Sequence, residues 1–122
     1  MAEQAWYAVV RFVEDLVRQE PRNVGVLVAG RGTVLLSFEA REDLVEYQAM
    51  IARFQELLDE IVSRGLKAES EPVEILRDLT TRRFSHFNLT EPRGVAINET
   101  PDELLERLVD SLVRDQSAHL AV

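Results

Sequence analysis

Short runs of apolar residues fill the first forty positions of the chain, and their residue types are those of β-strands. The first run, Trp6 to Val13, is rich in aromatic and β-branched residues, which favour extended backbone. Two further runs, Asn23 to Ala29 and Thr33 to Glu39, are joined by Gly30-Arg31-Gly32, a short connection typical of a hairpin. Because a strand and not a helix follows these glycines, the pattern predicts a turn there and excludes a phosphate-binding loop.

The hydrophobic period then changes to that of helices. From about Glu42 to Arg64 apolar residues recur at steps of three and four, which predicts an amphipathic helix that ends at Gly65. A second helix is predicted from Glu71 to Phe84, opened by Ser70 and carrying Pro72 in its first turn. Both helices present one apolar stripe, which we expect to pack onto the sheet.

The last third of the chain contains a broken strand and one more helix. His86 to Glu91 alternates polar and apolar residues, Pro92 interrupts the run, and Val95 to Ile97 resumes it. Thr100 then begins a helix with a capping box, in which the threonine and Glu103 each bond the other's backbone. The order β-β-β-α-α-β-α predicts an α+β fold: a mainly antiparallel sheet of about four strands with helices packed on one face.

Length and composition limit the class of protein. The chain has 122 residues, of which 46% are hydrophobic, so we expect a single domain over residues 1–122 with a frayed tail from about 116. It has no cysteine and a net charge of -8, which disfavours thiolate chemistry and nucleic-acid binding. With no bilayer-length apolar run and no signal peptide, we expect a cytoplasmic protein that does not bind membranes.

Residue chemistry supplies no catalytic constellation. The two histidines, His86 and His119, belong to no metal-binding spacing, so no metal or other cofactor is predicted. Positive charge does collect between residues 76 and 97, on four arginines: Arg77, Arg82, Arg83 and Arg93. This cluster is either an anion or acidic-partner site near His86, or a set of helix ion pairs and dipole contacts, which we favour.

Strand alternation brings several polar residues onto common faces. Arg11 shares its face of the first strand with apolar neighbours, and a guanidinium held there requires a carboxylate partner. Three carboxylates are candidates: Glu20, Glu39 and Glu91. His86, Asn88 and Thr90 also share one strand face. If these faces coincide they form a shallow site or a protein interface; the alternative is an ordinary solvated sheet surface.

Two segments carry a resemblance to a known family. Tyr7 to Val13, followed by Glu20 to Val26 with the pattern Glu-x-x-Asn-Val-Gly-Val, resembles the bacterial domain of unknown function 3037, and Phe87 to Arg93 resembles it more weakly. The resemblance places that family's motif residues on four positions: Arg11, Glu20, Asn23 and Gly25. The chain departs from the family pattern at three positions: Glu14, Pro21 and Arg22. The resemblance lends no activity, but it implies a partner role, because such proteins are often encoded beside a HipA-like kinase.

These observations give two competing functions. The first is a non-enzymatic interaction or regulatory module, with a HipA-like kinase as one partner. The second is a small-ligand or phosphate-ester enzyme with a polar pocket on the sheet. The candidate binding or motif residues are Arg11, Glu20, Asn23, Gly25, His86, Asn88 and Arg93. The first strand is apolar on both faces, which also suggests a homodimer in which a second copy covers one face.

Overall fold

The computed structural model describes residues 3–13, 21–39 and 42–114, and it confirms the α+β class. Five antiparallel strands form one sheet, and helices pack against it. In chain order the described elements are β1 (Glu3–Val13), β2 (Pro21–Gly30), β3 (Thr33–Phe38), a 3-10 helix (Glu42–Tyr47), α1 (Gln48–Lys67), α2 (Pro72–Thr81), β4 (Phe87–Leu89), β5 (Arg93–Ile97), α3 (Pro101–Val109) and a π-helical turn (Asp110–Arg114). The predicted frayed tail and His119 lie outside the described residues.

β1 is central in the sheet, whose order is β3-β2-β1, with β4 and β5 both paired to the other side of β1. The break between β4 and β5 comes at Pro92, which has no N–H to donate to the ladder. Thr90 bridges the break: its N–H donates to the Val9 carbonyl, and its Oγ1 accepts from the Val9 N–H, both at 2.9 Å. The interrupted strand predicted from the sequence is therefore one sheet edge made in two pieces.

The sheet is covered on both faces, and the expectation that the helices share one face is wrong. α1 and α2 cover the face that carries Ala8, Val10 and Phe12 of β1. α3 covers the opposite face through Val26 and Val28 of β2. Because β2 is apolar on both sides, it needs a cover on each, and α3 supplies the second. The apolar second face therefore gives no argument for a homodimer.

A β-bulge in β2 changes which of its side chains point to each face of the sheet. Val10 lies opposite Gly25, yet Arg11 lies opposite Asn23, so Val24 is an extra residue in β2. The extra residue keeps Val24 in the same core cluster as Leu27, although the two positions differ in parity. The bulge thus shifts the alternation of β2 beside the segment that carries the family motif.

The helix boundaries differ from the sequence expectations in physically clear ways. Gly65 does not end α1; it lies inside the helix, where a Cβ would come 2.9 Å from the Ile75 side chain, so α1 and α2 approach closely there. Glu71, not Ser70, is the N-cap of α2, and α2 ends before the extended residue Arg82. The capping box of α3, between Thr100 and Glu103, is confirmed.

Candidate functional site

A cavity of about 380 Å³ opens at one end of the sheet, where β1 finishes and β4 begins. Its lining residues are Arg11, Val13, Pro21, Phe84, Ser85, His86, Phe87 and Asn88. Three of the candidate residues from the sequence, Arg11, His86 and Asn88, are therefore brought together. Arg11 belongs to β1, Asn88 belongs to β4 and His86 directly precedes β4, so the cavity joins segments that are more than seventy residues apart in the chain.

His86 holds the two strands together at the mouth of this cavity. The Val13 N–H donates to the His86 carbonyl at 2.7 Å, and the His86 Nδ1 lies 3.0 Å from the Val13 carbonyl oxygen. A carbonyl oxygen only accepts, so Nδ1 is the donor in this contact. The ring also lies 6.2 Å from the Phe12 ring. His86 therefore extends the β1–β4 ladder by one rung.

Arg11 and Asn88 face each other across β1 and β4, and both are exposed. Arg11 is exposed, so the expectation that apolar neighbours enclose its side chain is wrong, whereas its candidate partner Glu20 lies outside the described residues. α3 packs on β2 and β3 and leaves this end of the face open, so the guanidinium reaches water. A guanidinium fork beside an amide N–H₂ donates several parallel hydrogen bonds, which suits a carboxylate or phosphate group.

The carboxylates expected to neutralise Arg11 are placed elsewhere or are not described. Glu39 accepts a hydrogen bond from Arg114 Nε at 2.6 Å. Glu91 is exposed in the connection between β4 and β5, and Glu20 lies outside the described residues. Within the described residues, Arg11 forms no ion pair. Its donors are thus available to a ligand at the cavity mouth.

Two motif residues have structural contacts away from the cavity. The Asn23 Nδ2 donates to the Leu112 carbonyl at 2.9 Å, which fastens the π-helical turn after α3 to β2. Gly25 lies under the Phe38 ring, and a Cβ at this position would be 2.9 Å from Phe38 Cδ1. The Asn-Val-Gly part of the motif therefore serves the fold, by holding the C-terminal turn and by admitting an aromatic ring.

Two members of the arginine cluster form the ion pairs along α2 that the ion-pair interpretation predicts. Arg82 donates from Nε to Asp78 at 3.0 Å, and Arg77 pairs with Glu74 one turn earlier in α2. Arg93 is exposed on β5, opposite Tyr7, and does not line the cavity. Two of the four arginines therefore form helix ion pairs, and among the described residues Arg11 is the arginine that lines the cavity.

The hydrophobic pattern of the sequence did not predict which apolar residues line the cavity. Phe84 was expected inside a helix, but α2 ends at Thr81 and the chain turns, which brings Phe84 and Ser85 to the rim. Pro21 reaches the cavity because β2 begins opposite Val13. The extended backbone at Arg82 ends the helix just before these residues, and no local sequence pattern indicates that end.

Among the described residues, the histidine and the serine at the cavity do not form a catalytic pair. Nδ1 of His86 is bonded to Val13 and not to Ser85, so the two are not joined as a base and a nucleophile. Among the described residues, no group of three histidine, aspartate or glutamate side chains could hold a metal ion. No helix within residues 3–13, 21–39 and 42–114 is long and apolar enough to cross a bilayer.

Comparison with known protein families gives a match over most of the chain. The sequence model of a family described as "Protein of unknown function (DUF3037)" matches residues 7–113, which is most of the chain. The matched region includes both segments that carry the resemblance and every residue that lines the cavity. No curated protein and no solved structure matches the chain.

Proposed function

The chain belongs to the DUF3037 family, and we propose that it acts there as a non-enzymatic interaction or regulatory module. The observation that carries the proposal is the exposed pair Arg11 and Asn88 at the mouth of the cavity. These side chains present hydrogen-bond donors to the outside, and His86 beside them is occupied in holding β1 to β4. Such a site binds an acceptor group without the paired acid and base that a reaction needs.

The ligand that suits these donors is a carboxylate, such as an aspartate or glutamate side chain of a partner protein. A guanidinium binds a carboxylate through two parallel hydrogen bonds, and the neighbouring amide adds a third donor. The net charge of -8 repels an acidic partner at long range, so recognition relies on contacts shorter than the Debye length of about 8 Å. Such binding depends more on the position and orientation of the partner's carboxylate than on the partner's net charge.

A HipA-like kinase is the partner class that the family resemblance suggests, and the module would meet it in the cytoplasm. The partly buried Phe84 lines the cavity beside the polar donors, with the mostly buried Phe87 and Val13 behind it, and together they give such a partner an apolar contact. An acidic side chain flanked by an apolar residue would fill this cavity. That combination of a buried apolar contact and a paired charge is common at the centre of protein interfaces.

The test is affinity capture from native lysate with three versions of the tagged chain: wild type, Arg11→Ala and Arg53→Ala. Arg53 is an exposed arginine on α1, on the opposite side of the sheet, so its loss changes the net charge equally. We expect one stoichiometric partner with wild type and Arg53→Ala and its loss with Arg11→Ala. A partner retained equally by all three would remove the cavity from the interface.

The alternative function, a small-ligand or phosphate-ester enzyme, draws support from the cavity volume. About 380 Å³ lies within the range of small-molecule sites, and Arg11 and His86 both line it. Against it, Asn23 is bonded to Leu112 and does not line the cavity. Hydrolysis of a model phosphate monoester that disappears in Arg11→Ala and persists in Arg53→Ala would favour this alternative over the interaction module.

A further inference from the structure

Arg93 of β5 lies on the same face of the sheet as Arg11, although it does not line the cavity. Directly opposed residues of antiparallel strands share a face, and Arg93 lies opposite Tyr7 while Asn88 lies opposite Arg11. Alternation along β1 puts Tyr7 and Arg11 on one face, the face that α3 partly covers. Because four residues of a strand span about 13 Å, the two arginines stand about that far apart along the sheet.

The break at Pro92 is what puts Arg93 on this face. Leu89 lies opposite Val10 and Arg93 lies opposite Tyr7, so four steps along the edge correspond to three steps along β1. The extra residue reverses the alternation of the edge, as a β-bulge does. Without it, the side chain at position 93 would point to the face that α1 and α2 cover. The irregularity therefore turns this arginine towards the face on which the cavity mouth opens.

Neither of these two arginines is neutralised within the described part of the chain. Both are exposed, and neither forms an ion pair or a side-chain hydrogen bond with another described residue. Glu91, the acidic residue nearest to Arg93 in the sequence, is exposed and is not paired with it. Six other arginines do pair with carboxylates of the chain: Arg31, Arg64, Arg77, Arg82, Arg107 and Arg114. The donors of Arg11 and Arg93 are therefore available to a partner.

An open strip of the sheet connects the two arginines. α3 packs chiefly on β2 and β3, so the face stays accessible over β4 and the start of β5, where Asn88 and Arg93 are exposed. Midway between Tyr7 and Arg11 on β1 lies Val9, whose uncharged side chain is mostly buried. Tyr7 itself is half-buried and adds an aromatic ring at the far end. The strip thus has an apolar middle and a cation at each end.

We propose that the partner presents an extended acidic segment that lies along this strip, with one carboxylate on Arg11 and Asn88 and a second carboxylate on Arg93. The inference rests on the proposed function, because Arg11 anchors the partner in both. In an extended chain every second side chain points to the same side, and four residues span about 13 Å. The spacing of the arginines therefore selects two acidic residues four positions apart, with an apolar residue midway between them that lies over Val9.

A helical segment of the partner fits this spacing less well. In an α-helix, residues eight or nine positions apart span about 12–13.5 Å, but the rotation of about 100° per residue sends them to different sides. Two carboxylates at this distance would then not both face the sheet. Charge complementarity and spacing together select an extended acidic peptide as the occupant of the strip.

Two synthetic peptides of one composition test the spacing on the full chain. The first, Thr-Glu-Thr-Val-Thr-Glu-Thr with blocked ends, has its glutamates four positions apart, and the second, Thr-Thr-Glu-Val-Glu-Thr-Thr, has them two apart. In NMR titrations we expect the first peptide to bind about threefold or more tightly than the second, because it alone reaches both arginines. Arg93→Ala should abolish this difference, and the exposed α1 variant Arg53→Ala should retain it.

A charge exchange separates a direct contact from a general effect of charge. Arg93→Glu should bind the first peptide weakly and should bind Thr-Glu-Thr-Val-Thr-Lys-Thr about threefold or more tightly than wild type does. Equal binding of the two glutamate peptides to wild type, or an Arg93→Ala variant that binds like Arg53→Ala while Arg11→Ala binds weakly, would overturn this inference and leave Arg11 as a single anchor. Undiminished capture of the partner by Arg11→Ala would overturn the proposed function itself, and this inference with it.

Discussion

Replacing Gly25 by alanine should destabilise the protein without touching the cavity, because the added methyl group meets an aromatic ring. The Cβ would lie 2.9 Å from Phe38 Cδ1 and 3.0 Å from both Cγ and Cε1. Carbon atoms in good contact are about 3.5–4.0 Å apart, so the ring must move by roughly half an ångström or more. Phe38 packs edge-on against Phe54 at a centroid distance of 6.3 Å, so that movement disturbs the core below α1.

Overpacking of this kind costs about 1–3 kcal/mol in the free energy of unfolding. The matched control is Gly30→Ala in the same strand, where the nearest atom to the new Cβ is 3.4 Å away, an ordinary contact. Gly30→Ala should be neutral or stabilising by up to about 1 kcal/mol, since it restricts the unfolded chain. Urea unfolding followed by circular dichroism measures both variants.

A second substitution separates the ring contact from other effects of Gly25→Ala. Phe38→Leu removes the ring, so the added methyl group should cost less in that background, and the double-mutant cycle should show a coupling of about 1 kcal/mol. If Gly25→Ala and Gly30→Ala had equal stabilities, the steric explanation of this motif glycine would be refuted.

Three further predictions concern single contacts. Asn23→Ala should lower the free energy of unfolding by about 1 kcal/mol and speed amide exchange in the turn whose Leu112 carbonyl it holds; unchanged exchange would contradict the contact. Thr90→Val should cost about 1–3 kcal/mol in urea unfolding because it leaves the Val9 N–H without its acceptor, whereas Thr90→Ser should keep most of the stability. Hydrogen bonds in the α3 capping box hold the pKa of Glu103 below its ordinary value. Their contribution to stability is therefore present above the unfolded-state pKa and is lost as the pH falls through the lower folded-state pKa. Glu103→Gln should remove this part of the acid dependence of the free energy of unfolding, and an unaltered pH profile of stability would argue against it.

The alternation along β1 could be predicted because a strand sends neighbouring side chains to opposite faces. Ala8, Val10 and Phe12 do lie in one cluster, and Tyr7 packs on the other, as the pattern indicates. The capping box at Thr100 was equally predictable, since its signal lies within four consecutive residues. Local patterns of this kind need no knowledge of distant parts of the chain.

The side on which each helix packs could not be predicted, because β2 is apolar on both faces. A continuous apolar run from Val24 to Ala29 shows that both faces of the strand are buried, but not which helix covers which. The extra residue at Val24 changes which side chains share a face, and it is visible only once β2 is paired with β1. Placing α3 on the second face therefore required the tertiary structure.

The sequence predicted part of the cavity lining, and the misplacement of Asn23 has a clear cause. Alternation placed Arg11, His86 and Asn88 on strand faces, and strand pairing then brought them to one cavity. Asn23 was grouped with them because a family motif does not separate residues that fold the chain from residues that bind. Its real contact is the Leu112 carbonyl, 89 positions away, which no local pattern reveals.

We propose that Arg11 of the family motif binds a partner and that Asn23 and Gly25 stabilise the fold. One comparison of two variants tests this division directly. With the partner obtained by affinity capture, calorimetry would give the affinity of purified Arg11→Ala and Gly25→Ala, and urea unfolding would give their stabilities. We predict that Arg11→Ala binds about tenfold or more weaker at unchanged stability, as the loss of a charged hydrogen bond implies, while Gly25→Ala binds like wild type but unfolds more easily. Wild-type affinity in Arg11→Ala together with lost affinity in folded Gly25→Ala would contradict the claim.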